Sequence, residues 1–327
     1  MTRRPKEQRA TVVRALTVYE VRAVALAAVV LAAACTGIAT PTDARLPDGG
    51  DIPQNDGGFS PDGGGTDGGG TARPTCKRGI AYGFASATDQ AALIPGIGWW
   101  YNWSPTPDAA VQASYAALGL EFVPMQWGGA VDPTQLESEV PDGTKYLLGF
   151  NEPNFVQQSN LTPQQAAALW PQLEQVAKDK NLKLVSPAVN FCGPASACVN
   201  GDTSPFDWLD SFLAACAGCQ IDFIAVHIYL QNGTGLQNVL SEYESKYTQP
   251  IWLTEFANLG STVSADDELA LMQEALPILE ADPRVFRYAW FTGRSSAQPS
   301  LDLFAPDSGL LTALGQAYVA APGACDP

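Results

Sequence analysis

Residues 146–188 read YLLGFNEPNFVQQSNLTPQQAAALWPQLEQVAKDKNLKLVSPA, and they hold a complete strand, helix and second strand. Tyr146 to Asn151 is a short apolar run of the kind that forms a buried strand. Thr162 to Lys180 has helical periodicity, with Thr162 as N-cap, Pro163 at the first helical position and Gln165 completing a capping box. Lys183 to Ala188 returns to an apolar, strand-like run.

The same alternation extends in both directions. Strand-like runs recur at Arg78 to Phe84, Gly98 to Asn102, Glu121 to Gln126, Asp222 to Tyr229, Pro250 to Glu255 and Arg287 to Thr292. Helical stretches fall between or after them at Thr88 to Leu93, Asp108 to Leu118, Thr134 to Glu139, Pro205 to Ala215, Leu236 to Tyr247, Ala265 to Ala281 and Leu310 to Ala320. Eight β-then-α units in about 250 residues predict an α/β fold of the (β/α)8 TIM-barrel type. A doubly wound open sheet is the alternative, but it does not usually require eight evenly spaced units.

The barrel accounts for residues 73–327 and leaves an N-terminal remainder of different composition. Arg3, Arg4, Lys6, Arg9, Arg14 and Arg22 form a basic leader ahead of the uncharged run Ala23 to Ala34, so residues 1–34 read as a signal peptide. That run is shorter than the ~20 apolar residues that span a bilayer core. Leu31-Ala32-Ala33-Ala34-Cys35 resembles a bacterial lipobox, with Ala32 where leucine is most common, and predicts a lipid anchor at Cys35. Ordinary cleavage after a small residue is the alternative. Residues 35–72 are rich in Gly, Asp and Pro, bury little, and would span on the order of 30 to 37 Å as a flexible tether. The expected product is exported: a bacterial cell-surface lipoprotein, or a secreted or periplasmic protein.

The 327 residues carry 18 Lys+Arg, 34 Asp+Glu and one His, a formal charge of −16. Residues 73–327 keep 11 of the basic and 26 of the acidic side chains, so the acidity belongs to the barrel. This charge opposes binding to a phosphate backbone, and nucleic acid is not an expected partner. No H-E-x-x-H, P-loop or strand-linked G-x-G-x-x-G occurs, so no metal or cofactor is expected. Beyond Cys35 there are six cysteines, an even number that favours disulfides in an exported chain. Their spacing suggests Cys192–Cys198, Cys216–Cys219 and a clasp, Cys76–Cys325; a zinc site on the four central thiolates is the rival.

Catalytic groups of such a barrel sit at the C-terminal ends of its strands. Glu152 follows the fourth strand in Gly149-Phe150-Asn151-Glu152-Pro153-Asn154, and Glu255 ends the seventh in Trp252-Leu253-Thr254-Glu255-Phe256-Ala257. An idle glutamate behind an apolar strand suffers desolvation without a partner, and two of them suggest a working pair. Lys145 and Arg294 are the nearby basic candidates for an ordinary salt bridge.

These two blocks, together with Ala215 to Tyr229 (ACAGCQIDFIAVHIY), resemble glycoside hydrolase family 128, the endo-β-1,3-glucanases with a glycosyl hydrolase catalytic core. The resemblance covers residues 77 to about 295 and departs at Asn154, where Asp is expected, and at Ile228, where Trp often stands. It implies a retaining hydrolase acting on β-1,3-glucan, with Glu255 as nucleophile and Glu152 as acid/base. At roughly 5 Å and an effective dielectric of about 20, two carboxylates repel by about 3 kcal/mol, which favours a pair holding one proton. Asn151 is placed to bond the sugar 2-hydroxyl.

Tyr229 is expected to donate to Glu255, and His227 to support the site or a sugar hydroxyl, although a lone histidine on an apolar strand is often a satisfied core residue. Apolar sugar faces call for aromatic platforms, and Trp103, Trp127 and Trp290 are the candidates for the cleft. One of Trp99 and Trp100 must point into packing, because adjacent strand residues face opposite ways. Trp170, Trp208 and Trp252 read as packing residues. A β-glucan poly- or oligosaccharide is the expected partner, and the protein is expected to be a monomer. A non-hydrolytic β-glucan-binding barrel, or a glycosidase for another β-linkage, would be the alternatives.

Overall fold

The computed structural model describes residues 76–94 and 96–323. The leader, the tether, Cys35 and Cys325 lie outside the described residues.

Strands and helices alternate along the chain: β1 (Arg78–Ala81), α1 (Ala87–Ala92), β2 (Trp99–Tyr101), β3 (Glu121–Phe122), α2 (Pro133–Glu139), β4 (Tyr146–Leu148), α3 (Pro163–Lys180), β5 (Lys183–Val185), α4 (Pro205–Ala215), β6 (Ile224–Tyr229), α5 (Gly233–Lys246), β7 (Ile251–Ala257), α6 (Ala265–Ala281), β8 (Val285–Trp290) and α7 (Ala313–Ala320). Every strand pair is parallel, and the order β3-β2-β1-β8-β7-β6 forms one ladder with β4-β5 as a second. Single parallel bridges join the two, Met125 to Leu148 on one side and Val185 to Phe223 and Val189 to Val226 on the other. Parallel pairing therefore passes through all eight strands and closes on itself, the arrangement of a (β/α)8 barrel.

Helix α3 starts as its sequence dictates. Thr162 accepts from the Gln165 backbone, and the Gln165 side chain accepts from the Thr162 backbone at 2.8 Å. The expected helix at Asp108 to Leu118 is instead a succession of turns with hydrogen bonds three and four residues apart, such as Ser114 N to Val111 O and Leu118 N to Ser114 O.

Two apolar layers enclose the strands. Ala81, Trp99, Tyr101, Met125, Val185, Ala225, Trp252 and Ala289 fill the barrel interior. Ile80, Trp100, Phe122, Leu253, Phe256 and Trp290 belong to the outer layer under the helices. Trp99 and Trp100 do face opposite ways, but both directions are core and both rings are fully buried. Trp170, Trp208 and Trp252 are fully buried as well. At the end of β4 the backbone packs hard against α3: a Cβ on Gly149 would lie 2.9 Å from the Trp170 ring, so only glycine fits there.

Cys192–Cys198 and Cys216–Cys219 are disulfides with Cα separations of 5.7 and 5.4 Å. The four central thiols are thus consumed, which removes the zinc alternative. Cys76 is also disulfide-bonded; its expected partner lies outside the described residues.

Candidate active site

The two glutamates meet at the mouth of the barrel, brought there by two local irregularities. β7 carries one extra residue. Val226 of β6 faces Leu253, but the next residue, His227, already faces Glu255. Strict alternation from the inward Trp252 would send Glu255 out with Leu253. The bulge at Thr254 resets the phase, so that Phe256 joins the outer layer and Glu255 turns inward. Glu152 is aimed by a turn: its φ is +39°, in the left-handed region that a residue with a Cβ occupies at a cost of about 1–2 kcal/mol. Trp103, just beyond β2, has φ +61°. The other non-glycine residues with positive φ among the described residues are asparagines, which tolerate it. Strain that a bulky side chain would ordinarily avoid is therefore concentrated at the site.

Glu255 is almost completely buried and ringed by donors. Tyr101 Oη donates to its Oε1 at 2.9 Å, and Trp103 Nε1 donates to the same oxygen at 2.9 Å. Tyr229 Oη donates to Oε2 through a short hydrogen bond. An indole N–H can only donate, so Trp103 marks Oε1 as an acceptor and favours the ionised carboxylate. Burial works the other way and raises the Glu255 pKa. The facing His227 lowers it, the Glu152 charge raises it, and the Tyr229 and Trp103 bonds lower it, leaving the carboxyl above its ordinary value. Burial, reinforced by the Glu255 charge, holds the phenols of Tyr101 and Tyr229 well above their usual range, so both remain neutral donors.

His227, the only histidine in the chain, lies between the two carboxylates. Its Nδ1 is 2.9 Å from Glu152 Oε1 and 3.4 Å from Glu255 Oε2. Burial opposes its protonation, but the Glu255 charge and the bond and charge of Glu152 prevail, and its pKa is raised. Ligand atoms of Glu152, His227 and Glu255 all lie within 4.8 Å of one another. This trio has the composition of a cation site. However, Glu255 already accepts from three neutral donors, and Glu152 Oε1 accepts from Asn190 Nδ2 at 3.2 Å. The donor set suits a carboxylate pair that exchanges protons better than one that shares a metal. Neither Lys145 nor Arg294 pairs with the glutamates; Arg294 binds Asp89 at 2.7 Å.

The remaining expected residues divide. Asn151 is buried beside Glu152, with Nδ2 3.4 Å from Gln158 Oε1 and Oδ1 buried without a partner, an acceptor left for a hydroxyl. Trp103 is half-buried at the mouth, edge-on to Tyr101 and Phe291. Trp127 is half-buried, and its carbonyl accepts from Asn151 N. Trp290 must be corrected: it is fully buried in the outer layer, stacked edge-on with Phe256, and its Nε1 donates to Leu301 O at 2.9 Å, so it cannot reach the cleft. Its β8 neighbour Ala289 is the inward residue, and Phe291 reaches the mouth instead. Ile228 likewise is buried in the outer layer. Sequence reading missed Tyr101 and Asn190. Tyr101 ends β2, where a polar group closing an apolar strand was the available signal; Asn190 lies in the loop after β5 and carries no such signal.

Residues 79–318 match the family described as glycosyl hydrolase catalytic core. Among solved structures, the chain is similar to a subgroup II endo-β-1,3-glucanase of glycoside hydrolase family 128 from Sorangium cellulosum, with 45% identity and a TM-score of 0.71 over 76% of this chain and 99% of that one. It is also similar to a subgroup I endo-β-1,3-glucanase from Amycolatopsis mediterranei in complex with laminaritriose, at 31% identity and a TM-score of 0.60 over 75% and 99%. A subgroup III curdlan-specific exo-β-1,3-glucanase from Blastomyces gilchristii in complex with glucose matches at 32% identity and a TM-score of 0.58 over 75% and 98%. Alkali-sensitive linkage protein 1 of Schizosaccharomyces pombe is 29% identical over 252 residues, 74% of this chain; the chain spans 44% of that protein.

Proposed function

The chain belongs to glycoside hydrolase family 128, within the glycosyl hydrolase catalytic core family, and from that premise we propose that it is a retaining endo-β-1,3-glucanase. The observation that carries the reading is the close approach of Glu152 and Glu255, whose ligand atoms lie within 4.8 Å. Retaining glycosidases hold their carboxyl groups about 5–5.5 Å apart, whereas inverting enzymes leave about 6.5–9.5 Å for a water. The endo preference rests on the greater identity to the subgroup II endo-enzyme than to the exo-acting relative.

In the first step a Glu255 oxygen attacks the anomeric carbon as the glycosidic C–O bond breaks, and Glu152 gives its proton to the departing oxygen. A glycosyl ester on Glu255 results. In the second step Glu152, now the base, takes a proton from water; the water oxygen bonds to the anomeric carbon, and the ester bond to Glu255 breaks. Tyr101, Trp103 and Tyr229 keep the attacking carboxylate oriented. Esterification removes the Glu255 charge that faces His227 across 3.4 Å. Asn151 Oδ1 accepts from the sugar 2-hydroxyl, and Trp103 and Trp127 offer aromatic surface to the chain.

The folded domain is carried outside the cell by the signal peptide of residues 1–34 and held by a lipid on Cys35 through the tether of residues 35–72. The protein acts as a monomer. Mass spectrometry of the mature N-terminus tests the anchor, and an unmodified Cys35 would refute it. Incubating linear β-1,3-, β-1,4- and β-1,6-glucans with wild type and Glu255→Ala tests the chemistry. Wild type should release a ladder of oligosaccharides from β-1,3-glucan alone, and the variant none. Release of glucose only would replace endo with exo action, and no cleavage by wild type would defeat the substrate assignment.

A further inference from the structure

The loop after β5 reaches back to the acid/base. Asn190 Nδ2 lies 3.2 Å from Glu152 Oε1, the oxygen that also faces His227 Nδ1 at 2.9 Å. His227 Nδ1 donates to this oxygen when the ring is protonated and accepts in one neutral tautomer, so the histidine marks Oε1 as an acceptor only while it carries its proton. A carboxamide NH2 only donates. Its bond marks Oε1 as the accepting oxygen and leaves Oε2 to carry the transferable proton.

Asn190 is itself held. Fully buried Asn154, two residues past Glu152, donates from Nδ2 to Asn190 O at 2.7 Å. An ionised aspartate, the residue the family resemblance predicts at 154, has no proton for that carbonyl. The backbone continues the clamp: Val199 N donates to Asn154 O at 2.9 Å, Val156 N donates to Ala197 O at 3.0 Å, and Phe155 forms an antiparallel bridge with Cys198. The Cys192–Cys198 disulfide closes this loop two residues after Asn190. Turn and loop thus form one unit, and Asn190 is its polar contact with the carboxylate.

We propose that Asn190 is a positioning residue for the acid/base, fixing the proton of Glu152 on Oε2 through the Asn154–Asn190–Glu152 relay. The inference rests on the reading of Glu152 as acid/base.

Its test exploits leaving groups. A sugar alkoxide must be protonated to depart, whereas 2,4-dinitrophenolate departs without an acid. Wild type, Asn190→Ala and the nearly isosteric Asn190→Asp, which keeps the shape but lacks the NH2 donor, are assayed for kcat/KM on linear β-1,3-glucan and on 2,4-dinitrophenyl β-laminaribioside. Both variants should lose about 10- to 100-fold on the glucan, part of what a general acid contributes, with the loss in kcat rather than KM. On the aryl glycoside each should stay within about three-fold of wild type. If Asn190→Ala does not fold, Asn190→Asp gives the same readout. Equal losses on both substrates would mean a merely structural role and overturn the inference, as would an undiminished rate on the glucan. Wild type inactive on β-1,3-glucan would instead overturn the functional reading, and the inference with it.

Discussion

Tyr101→Phe isolates one donor to Glu255, the proposed nucleophile. Tyr101 is fully buried and Glu255 is 5% exposed. The substitution deletes one oxygen, whose bond to Glu255 Oε1 is 2.9 Å long, and leaves the ring stacked on Trp99. Hydrogen bonds to charged groups contribute about 1.5–3 kcal/mol. Removing a donor disfavours the ionised form, so the Glu255 pKa, already raised by burial, rises further. The nucleophile must be ionised to attack. The acid limb of kcat/KM against pH, a property of the coupled pair, should therefore move upward, by about one to two pH units for a bond of that size at 1.36 kcal/mol per unit. The assay is kcat/KM on β-1,3-glucan oligosaccharides at closely spaced pH values, with circular dichroism as a check on folding. An acid limb that stays in place or moves downward in a folded variant would refute the claim that Tyr101 stabilises the Glu255 charge.

Three further outcomes follow from other parts of the fold. Burial pushes the Glu268 carboxyl up to about 7 from 4.5, so the folded state keeps a proton that the unfolded chain releases; stability should fall as pH rises between these values, by up to about 3 kcal/mol, and denaturant titrations of Glu268→Gln at pH 5 and 8 should show that fall reduced. Replacing Cys192 and Cys198 together by serine opens a short loop and should lower stability by about 2 kcal/mol, read as an earlier thermal transition, with activity on glucan falling as the Glu152 turn loosens. Incubation with a strong chelator should leave the glucan rate unchanged, since the donors around Glu152 and Glu255 do the work of orienting them; a rate lost to the chelator and restored by a divalent ion would point to the Glu152, His227 and Glu255 cluster as a metal site.

The alternation of elements was legible because it is written in local chemistry. Thr162, Pro163 and Gln165 specify a helix start that needs no tertiary help, and the spacing of Cys192 and Cys198 lets a short loop close. The segment Asp108 to Leu118, expected as a helix, is a run of turns instead. The identity of inward and outward faces was harder. In a barrel both sides of a strand are apolar, so alternation separates Trp99 from Trp100 without saying which lies inside. For the same reason the sequence points to Trp290 for the cleft, whereas Ala289 is the inward neighbour. The site glutamates were legible as polar groups ending apolar strands. Their geometry was not: the bulge at Thr254 turns Glu255 inward, and the positive φ of Glu152 aims its carboxylate. Tyr101 and Asn190 acquire their roles only when β2 and the loop after β5 are brought against the glutamates across the barrel mouth.

The central claim is that Glu255 attacks the sugar and Glu152 handles the proton, a double displacement that preserves the anomeric configuration. Proton NMR of freshly cleaved β-1,3-glucan oligosaccharides reads that configuration before mutarotation erases it. Two displacements predict that the β-anomer of the new reducing end appears first and the α-anomer grows in later. First appearance of the α-anomer would mean a single displacement by water, and would contradict the mechanism drawn from the Glu152–Glu255 pair.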